Sequence, residues 1–235
     1  MGYRRKDYRK VEAELPLDKA GFNVLFMPSI REFRDKKVRV LNGSHTGMVP
    51  IALPLGFSTV MEAFNDTDVN RFVCGMVERE VIPMIAGDEA VLKQFAHSIL
   101  ERFYNPYIRH HLKSIALNSL SKWETRNWPT VRDMWLRLGR VAEYETFTFS
   151  ALVSLYGPGS GFIPEDNDAY VNTIVSAWQP DDYVSTVKAI LSAGIFIDDF
   201  GAVVPDFPEI AAGYIADIRR NGMRDALSSF LESHK

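Results

Sequence analysis

Apolar residues recur at three- and four-residue spacing along most of this chain, and strict apolar/polar alternation is scarce, so the sequence is restricted to a body built from helices. In 66–85 the stripe is Val69, Phe72, Val73, Met76 and Val77, with Asn65, Asp66 and Thr67 available as caps and Pro83 near the end. Asp88 can cap the next run, whose stripe is Val91, Leu92, Phe95, Ile99 and Phe103. The Asn105-Pro106 pair marks a break before a third helix over about 107–122. Similar stripes predict helices over 129–156, 180–193 and 209–220. The expectation is an all-α, multi-helix domain over 34–235. Ahead of it, 1–33 reads as a basic lead-in followed by an extended connector or edge strand around 22–27.

Composition narrows the class of partner. The 27 Lys+Arg are balanced by 30 Asp+Glu, and a net charge of -3 offers no polyanion-binding surface, so nucleic acid is not an expected partner. A hydrophobic fraction of 46% supplies a sizeable core, yet no window approaches the roughly 18 apolar residues of a membrane span. One cysteine, Cys74, lies inside a helical stripe and reads as a buried structural thiol in a reducing compartment. With no targeting segment visible, a cytoplasmic location is expected.

The stretch richest in chemistry is Lys36-Lys37-Val-Arg-Val-Leu-Asn42-Gly-Ser-His45-Thr-Gly-Met48. On an α-helix, Lys37, His45 and Asn42 fall near about 0°, 80° and 140° around the axis, on one broad face. A lysine serves as a general base when burial or neighbouring positive charge favours its neutral form, and Lys36 and Arg39 place cations close by in sequence. Asn42 and His45, three apart, can donate hydrogen bonds to a carbonyl or alkoxide oxygen held against the lysine. The same three residue types also describe an ordinary solvated helix face.

Two passages carry a resemblance. Glu14-Leu-Pro-Leu-Asp-Lys-Ala-Gly-Phe-Asn-Val-Leu-Phe, followed by Lys37-Val-Arg-Val-Leu-Asn-Gly-Ser-His-Thr, resembles the C-terminal half of the mannitol dehydrogenase family of long-chain polyol dehydrogenases, in its tagaturonate reductase (altronate oxidoreductase) branch. The Lys-x4-Asn-x2-His signature of that family stands as Lys37, Asn42 and His45. The similarity continues through 68–83 and through Glu101-Arg-Phe-Tyr-Asn-Pro-Tyr-Ile108, covering roughly 13–230. The resemblance implies a C-terminal substrate and catalytic domain of the 6-phosphogluconate dehydrogenase C-terminal-like kind. It implies hydride transfer with NAD between D-tagaturonate and D-altronate in hexuronate catabolism, without a metal. Lys37 is then general acid in reduction and base in oxidation, Asn42 and His45 polarise the carbonyl, and Arg102, Asn105 and His110 lie on the substrate side. Arg102 is the expected partner of a uronate carboxylate, with Lys113 and Lys122 as weaker alternatives.

Members of that family bind NAD through an N-terminal Rossmann domain, and no such domain is legible here. The Gly157-Pro-Gly-Ser-Gly161 cluster lacks the flanking strand and the spacing of a dinucleotide fingerprint and reads as a loop. Cofactor binding is therefore expected from a separate N-terminal Rossmann half, with the chain inactive alone. A related fructuronate or mannitol reductase half, and a non-enzymatic helical module for assembly or sugar-acid binding, are the alternatives. His110-His111 point about 100° apart on a helix, and nothing at metal-ligand spacing completes a site. The pairs Asp181-Asp182 and Asp198-Asp199 read as helix caps.

Overall fold

The computed structural model describes residues 8–24, 26, 29–163 and 169–235. Among these residues the only pairing of extended backbone is an isolated antiparallel bridge between Thr59 and His111, so the body is all-α. The helices run in the order α1 (Tyr8–Glu14), α2 (Arg31–Lys36), a π segment (Lys37–Gly43), α3 (Ser44–Ala52), α4 (Val60–Asn65), α5 (Thr67–Met76), a second π segment (Val77–Val81) and α6 (Ile82–Met84). There follow α7 (Glu89–Glu101), α8 (Leu112–Ala116), α9 (Ser119–Arg126), α10 (Trp128–Leu138), α11 (Glu143–Tyr156) and α12 (Ala169–Ala177). The chain closes with α13 (Tyr183–Ser192), α14 (Phe200–Val203), α15 (Phe207–Asn221) and α16 (Met223–Ser233).

The organising element is α11. From Tyr144 to Tyr156 every residue is buried, because, Glu145 apart, the helix is apolar or small and polar on all sides and lies between two hydrophobic clusters. One cluster gathers the first half of the chain with α16, around Met48, Phe72, Phe147 and Phe230. The other gathers the second half around Trp123, Trp128, Phe149 and Phe207. Helix interiors seldom bury hydroxyls, and those nearest the start of α11 are satisfied locally: Thr146 Oγ1 donates to Ala142 C=O at 2.7 Å, and Ser150 Oγ to Thr146 C=O at 2.9 Å, whereas buried Ser154 Oγ finds no partner among the described residues. Trp123 Nε1 donates to Thr148 Oγ1 at 2.8 Å, tying α9 across the cluster boundary.

Several caps follow the sequence reading. Asp66 accepts from the N–H groups of Asp68 and Val69, Asp88 from Val91, Asp182 from Ser185 and Asp199 from Ala202. Asp198 instead accepts from Trp128 Nε1 at 2.8 Å.

Two helices expected as single runs are broken. The 107–122 run divides into α8 and α9 at Asn118, whose φ of +54° is left-handed and ends one helix before the next begins. The 129–156 run divides at Gly139, which takes φ +63° and donates its N–H to Trp135 C=O at 2.8 Å as a helix terminator. Val91, placed in a buried stripe, is 55% exposed because it lies on the outer edge of α7. Cys74 is half-buried rather than sealed in the core. Before the body, 8–14 is helical with no buried side chain, and the expected edge strand around 22–27 includes residues outside the described set.

Candidate active site

The signature Lys37-x4-Asn42-x2-His45 begins in the first π segment and ends in α3. This register differs from the α-helix assumed above. A π turn bonds residue i to i+5, which sets Asn42 one turn above Lys37, whereas α geometry would swing it about 140° away. Single π turns inside α-helices are rare and concentrate at functional sites. The second π segment packs against the first.

Three contacts hold the turn. Asn127, fully buried, donates through Nδ2 to Gly43 C=O at 3.2 Å and to Glu145 Oε2 at 2.8 Å. Arg39 pairs with Asp133 on α10 at 2.7 Å, both side chains largely enclosed. That partner answers the Arg39 charge, so Arg39 is not the free cation that the sequence placed beside Lys37. Thr46 Oγ1, one turn beyond Asn42, donates to the Asn42 carbonyl at 2.9 Å.

Lys37 is exposed at the start of the turn, Asn42 is half-buried, and His45 is largely enclosed. The His45 imidazole stacks on Phe103, centroids 4.4 Å apart at 20°, and meets the His110 ring edge-on at 5.0 Å. Desolvation by burial lowers the His45 pKa to about 4, with the nearby His110 and Arg126 charges acting in the same direction. His45 is thus a neutral imidazole across the physiological range, keeping one N–H to donate and one nitrogen to accept.

The substrate-side residues divide. His110 is exposed and joins His45, while its backbone C=O accepts from Val60 N–H at 3.0 Å beside the Thr59–His111 bridge. Asn105 Oδ1 accepts from Tyr107 N–H at 2.9 Å and so shapes the turn after the Arg-Phe-Tyr segment. Arg102 is exposed at the C-cap of α7, and its neighbour Phe103 is the residue that reaches the motif. Arg126 went unnoticed in the sequence, because it falls between the helices expected over 107–122 and 129–156 and belongs to no motif there; the structure places it in the last turn of α9. In the structure its Nη1 donates to Thr46 Oγ1 at 3.0 Å.

Two buried carboxyls underlie the site. Glu80, in the second π segment, accepts from the N–H groups of Tyr144 and Glu145 at 2.9 and 3.0 Å and so caps α11 through space. Burial raises its pKa to about 8. Glu145 is pushed well above the usual carboxylate range, by burial first and by Glu80 second. A cavity of about 960 Å³ opens at the far end of α3, lined by Leu53, Phe57, Leu155, Phe162, Lys113 and Arg219. None of the motif residues lines it; Tyr107 and Ile108, in the turn before His110, are 93% and 62% exposed.

The mannitol dehydrogenase C-terminal domain model matches residues 29–160. This chain belongs to that family. The match contains the whole signature together with Arg102, Asn105, His110 and Arg126. Among curated relatives, an altronate oxidoreductase of Bacillus subtilis (strain 168) is 34% identical over 222 residues, covering 92% of this chain and 45% of that protein. An altronate oxidoreductase of Enterobacter sp. (strain 638) is 36% identical over 192 residues, covering 78% and 40%. Among solved structures, Pseudomonas fluorescens mannitol 2-dehydrogenase in a ternary complex with NAD and D-mannitol superposes with a TM-score of 0.79 at 19% identity, covering 91% of this chain and 43% of that one. This mannitol dehydrogenase C-terminal domain chain therefore shares that fold, and it spans about half the length of the curated relatives it matches.

The Gly157–Gly161 turn does not fit a dinucleotide fingerprint. It follows α11 rather than a strand, and a Cβ on Gly157 would come 2.4 Å from the Trp178 ring. That glycine makes room for an indole, not for a pyrophosphate. Among the described residues no three His, Cys, Asp or Glu side chains converge as metal ligands, and no helix is long and apolar enough to cross a membrane.

Proposed function

We propose that this chain is the substrate-binding and proton-transferring part of an NAD-dependent oxidoreductase that interconverts D-tagaturonate and D-altronate. The observation that carries the reading is the arrangement of Lys37, Asn42 and His45 on one continuous helix, with His45 held neutral against Phe103. Identities of 34% and 36% to proteins named altronate oxidoreductase support the uronate substrate over a neutral polyol.

In oxidation, Lys37 Nζ takes the proton of the substrate hydroxyl as the C–O bond gains double-bond character. In reduction it returns that proton to the oxygen. Asn42 and neutral His45 donate hydrogen bonds to the same oxygen, where negative charge grows in the transition state. A nicotinamide cofactor would take or give the hydride at carbon, and its phosphates would be held outside the residues described, by a Rossmann half such as family members carry. A cytoplasmic setting and a place in hexuronate catabolism go with this reading.

The test is kinetic. In an enzyme assembled with a Rossmann half, given NAD and D-altronate, Lys37→Ala is expected to lower kcat by about 10²–10⁴-fold. Asn42→Ala and His45→Ala should each cost about 10²–10³-fold. A kcat near the unsubstituted value in Lys37→Ala would remove this lysine from the mechanism.

A further inference from the structure

We infer that Arg126, which the fold brings to Thr46 beside His45, is the group that binds the carboxylate of a sugar-acid substrate and sets the preference for an acid over a neutral polyol. The inference rests on the substrate reading above and deepens it.

The argument begins with unused charge. Cations around the motif are mostly committed: Arg39 pairs with Asp133, Arg132 with Asp133 and Asp198, and Lys122 Nζ donates to Ile115 C=O at 3.0 Å. Arg126 differs, since among the described residues no carboxylate lies within ion-pair distance of it. Its guanidinium is half-buried, and burial works against its charged form. A guanidinium carries five N–H donors in a planar fork, and the bond to Thr46 occupies one edge of it. A partly desolvated cation without an anion is costly, and a carboxylate brought in by substrate removes that cost bidentately.

Position completes the case. Thr46 directly follows His45 and lies one turn beyond Asn42, so Arg126 stands at the level of the two oxygen-polarising residues. The backbone is held there as well: Arg126 C=O would lie 3.5 Å from a Cβ on Gly43, and Asn127 bonds the Gly43 carbonyl. The fork is thus mounted on the same turn that presents Lys37 and Asn42. D-tagaturonate carries its carboxylate at the opposite end of a six-carbon chain from its ketone, a separation that lets one end meet Arg126 while the other meets the motif. Arg102, the sequence-based candidate, is exposed at a helix end, and Lys113 lines the cavity at the far end of α3.

The test is a nuclear magnetic resonance titration of the chain with D-altronate and, separately, with D-mannitol, following the Arg126 Nε–H and His45 ring resonances. D-altronate is expected to shift both resonances. Arg126→Gln should raise its Kd at least tenfold, with Arg126→Lys intermediate because charge remains and the fork is lost. D-mannitol should bind no more weakly to Arg126→Gln than to the unsubstituted chain. Equal D-altronate affinity in Arg126→Gln, or shifts confined to Arg102, would overturn the role of Arg126 while leaving the uronate reading in place. Binding of D-mannitol without binding of D-altronate, or of neither, would overturn both. Arg126→Lys, which keeps a cationic hydrogen-bond donor at this position, keeps the outcome readable if Arg126→Gln does not fold.

Discussion

The imidazole of His45 lies flat on the ring of Phe103, two residues 58 positions apart in sequence whose centroids stand 4.4 Å apart. The stack explains how this histidine loses access to water. It also gives the Arg-Phe-Tyr segment a second purpose, since the phenylalanine reaches the motif while the arginine beside it stays in solvent.

That enclosure sets a titration. The His45 ring should titrate near pH 4, well below the ordinary value of 6.5, when followed by its ring proton shifts. Phe103→Ala, which admits water to the ring, should move the midpoint upward toward 6.5. The unfolded chain binds the proton more readily than the folded one between these values. Stability from this group is therefore complete above about pH 6.5 and falls as pH drops toward 4. An unchanged midpoint in Phe103→Ala would mean that the stack is not what dries the ring.

Glu80 has the opposite sign. Its folded pKa of about 8 stands above the ordinary 4.5, so the native state holds a proton that the unfolded state releases. Its contribution is full below about pH 4.5 and is lost as pH rises through 8. Glu80→Gln should flatten the decline in urea-derived stability between about pH 5 and 8, Glu145 accounting for the slope that remains. Glu80→Ala should cost about 1–3 kcal/mol at pH 5, because the Tyr144 and Glu145 N–H groups lose their acceptor inside the core.

Gly47 and Gly43 sit four apart on the motif helix and should respond differently to alanine. A Cβ at Gly47 would lie 2.9 Å from Thr148 Cγ2 and 3.3 Å from Met76 Sδ, where α3 packs against α11 and α5. Gly47→Ala should lower stability by about 1–3 kcal/mol through overpacking. At Gly43 the nearest atoms stand at 3.5 and 3.6 Å, ordinary contact distances, so Gly43→Ala should stay within about 1 kcal/mol of the unsubstituted chain. Urea midpoints of the two variants check the contrast, and equal losses would contradict it.

By itself, the sequence determined the helical body, the Asp66 and Asp88 caps and the place of the Lys37, Asn42 and His45 signature. Each of these depends on spacings of three to eight residues along one helix, which the covalent chain enforces before any packing occurs. It did not show that the signature is wound as a π turn, because an inserted helical residue leaves no mark in apolar periodicity. Nor did it show the helix breaks at Asn118 and Gly139, since each flanking run keeps its own stripe. Tertiary structure alone decided that Phe103 lies under His45, that Glu80 caps α11 from 64 residues away, and that Arg126 meets Thr46 across 80. The physical reason is common to all three: a stacking contact, a through-space cap and an arginine fork each need two distant backbones fixed to within a few ångströms, and only the packing of α3, α9, α11, the end of α7 and the second π segment around the shared core supplies that constraint.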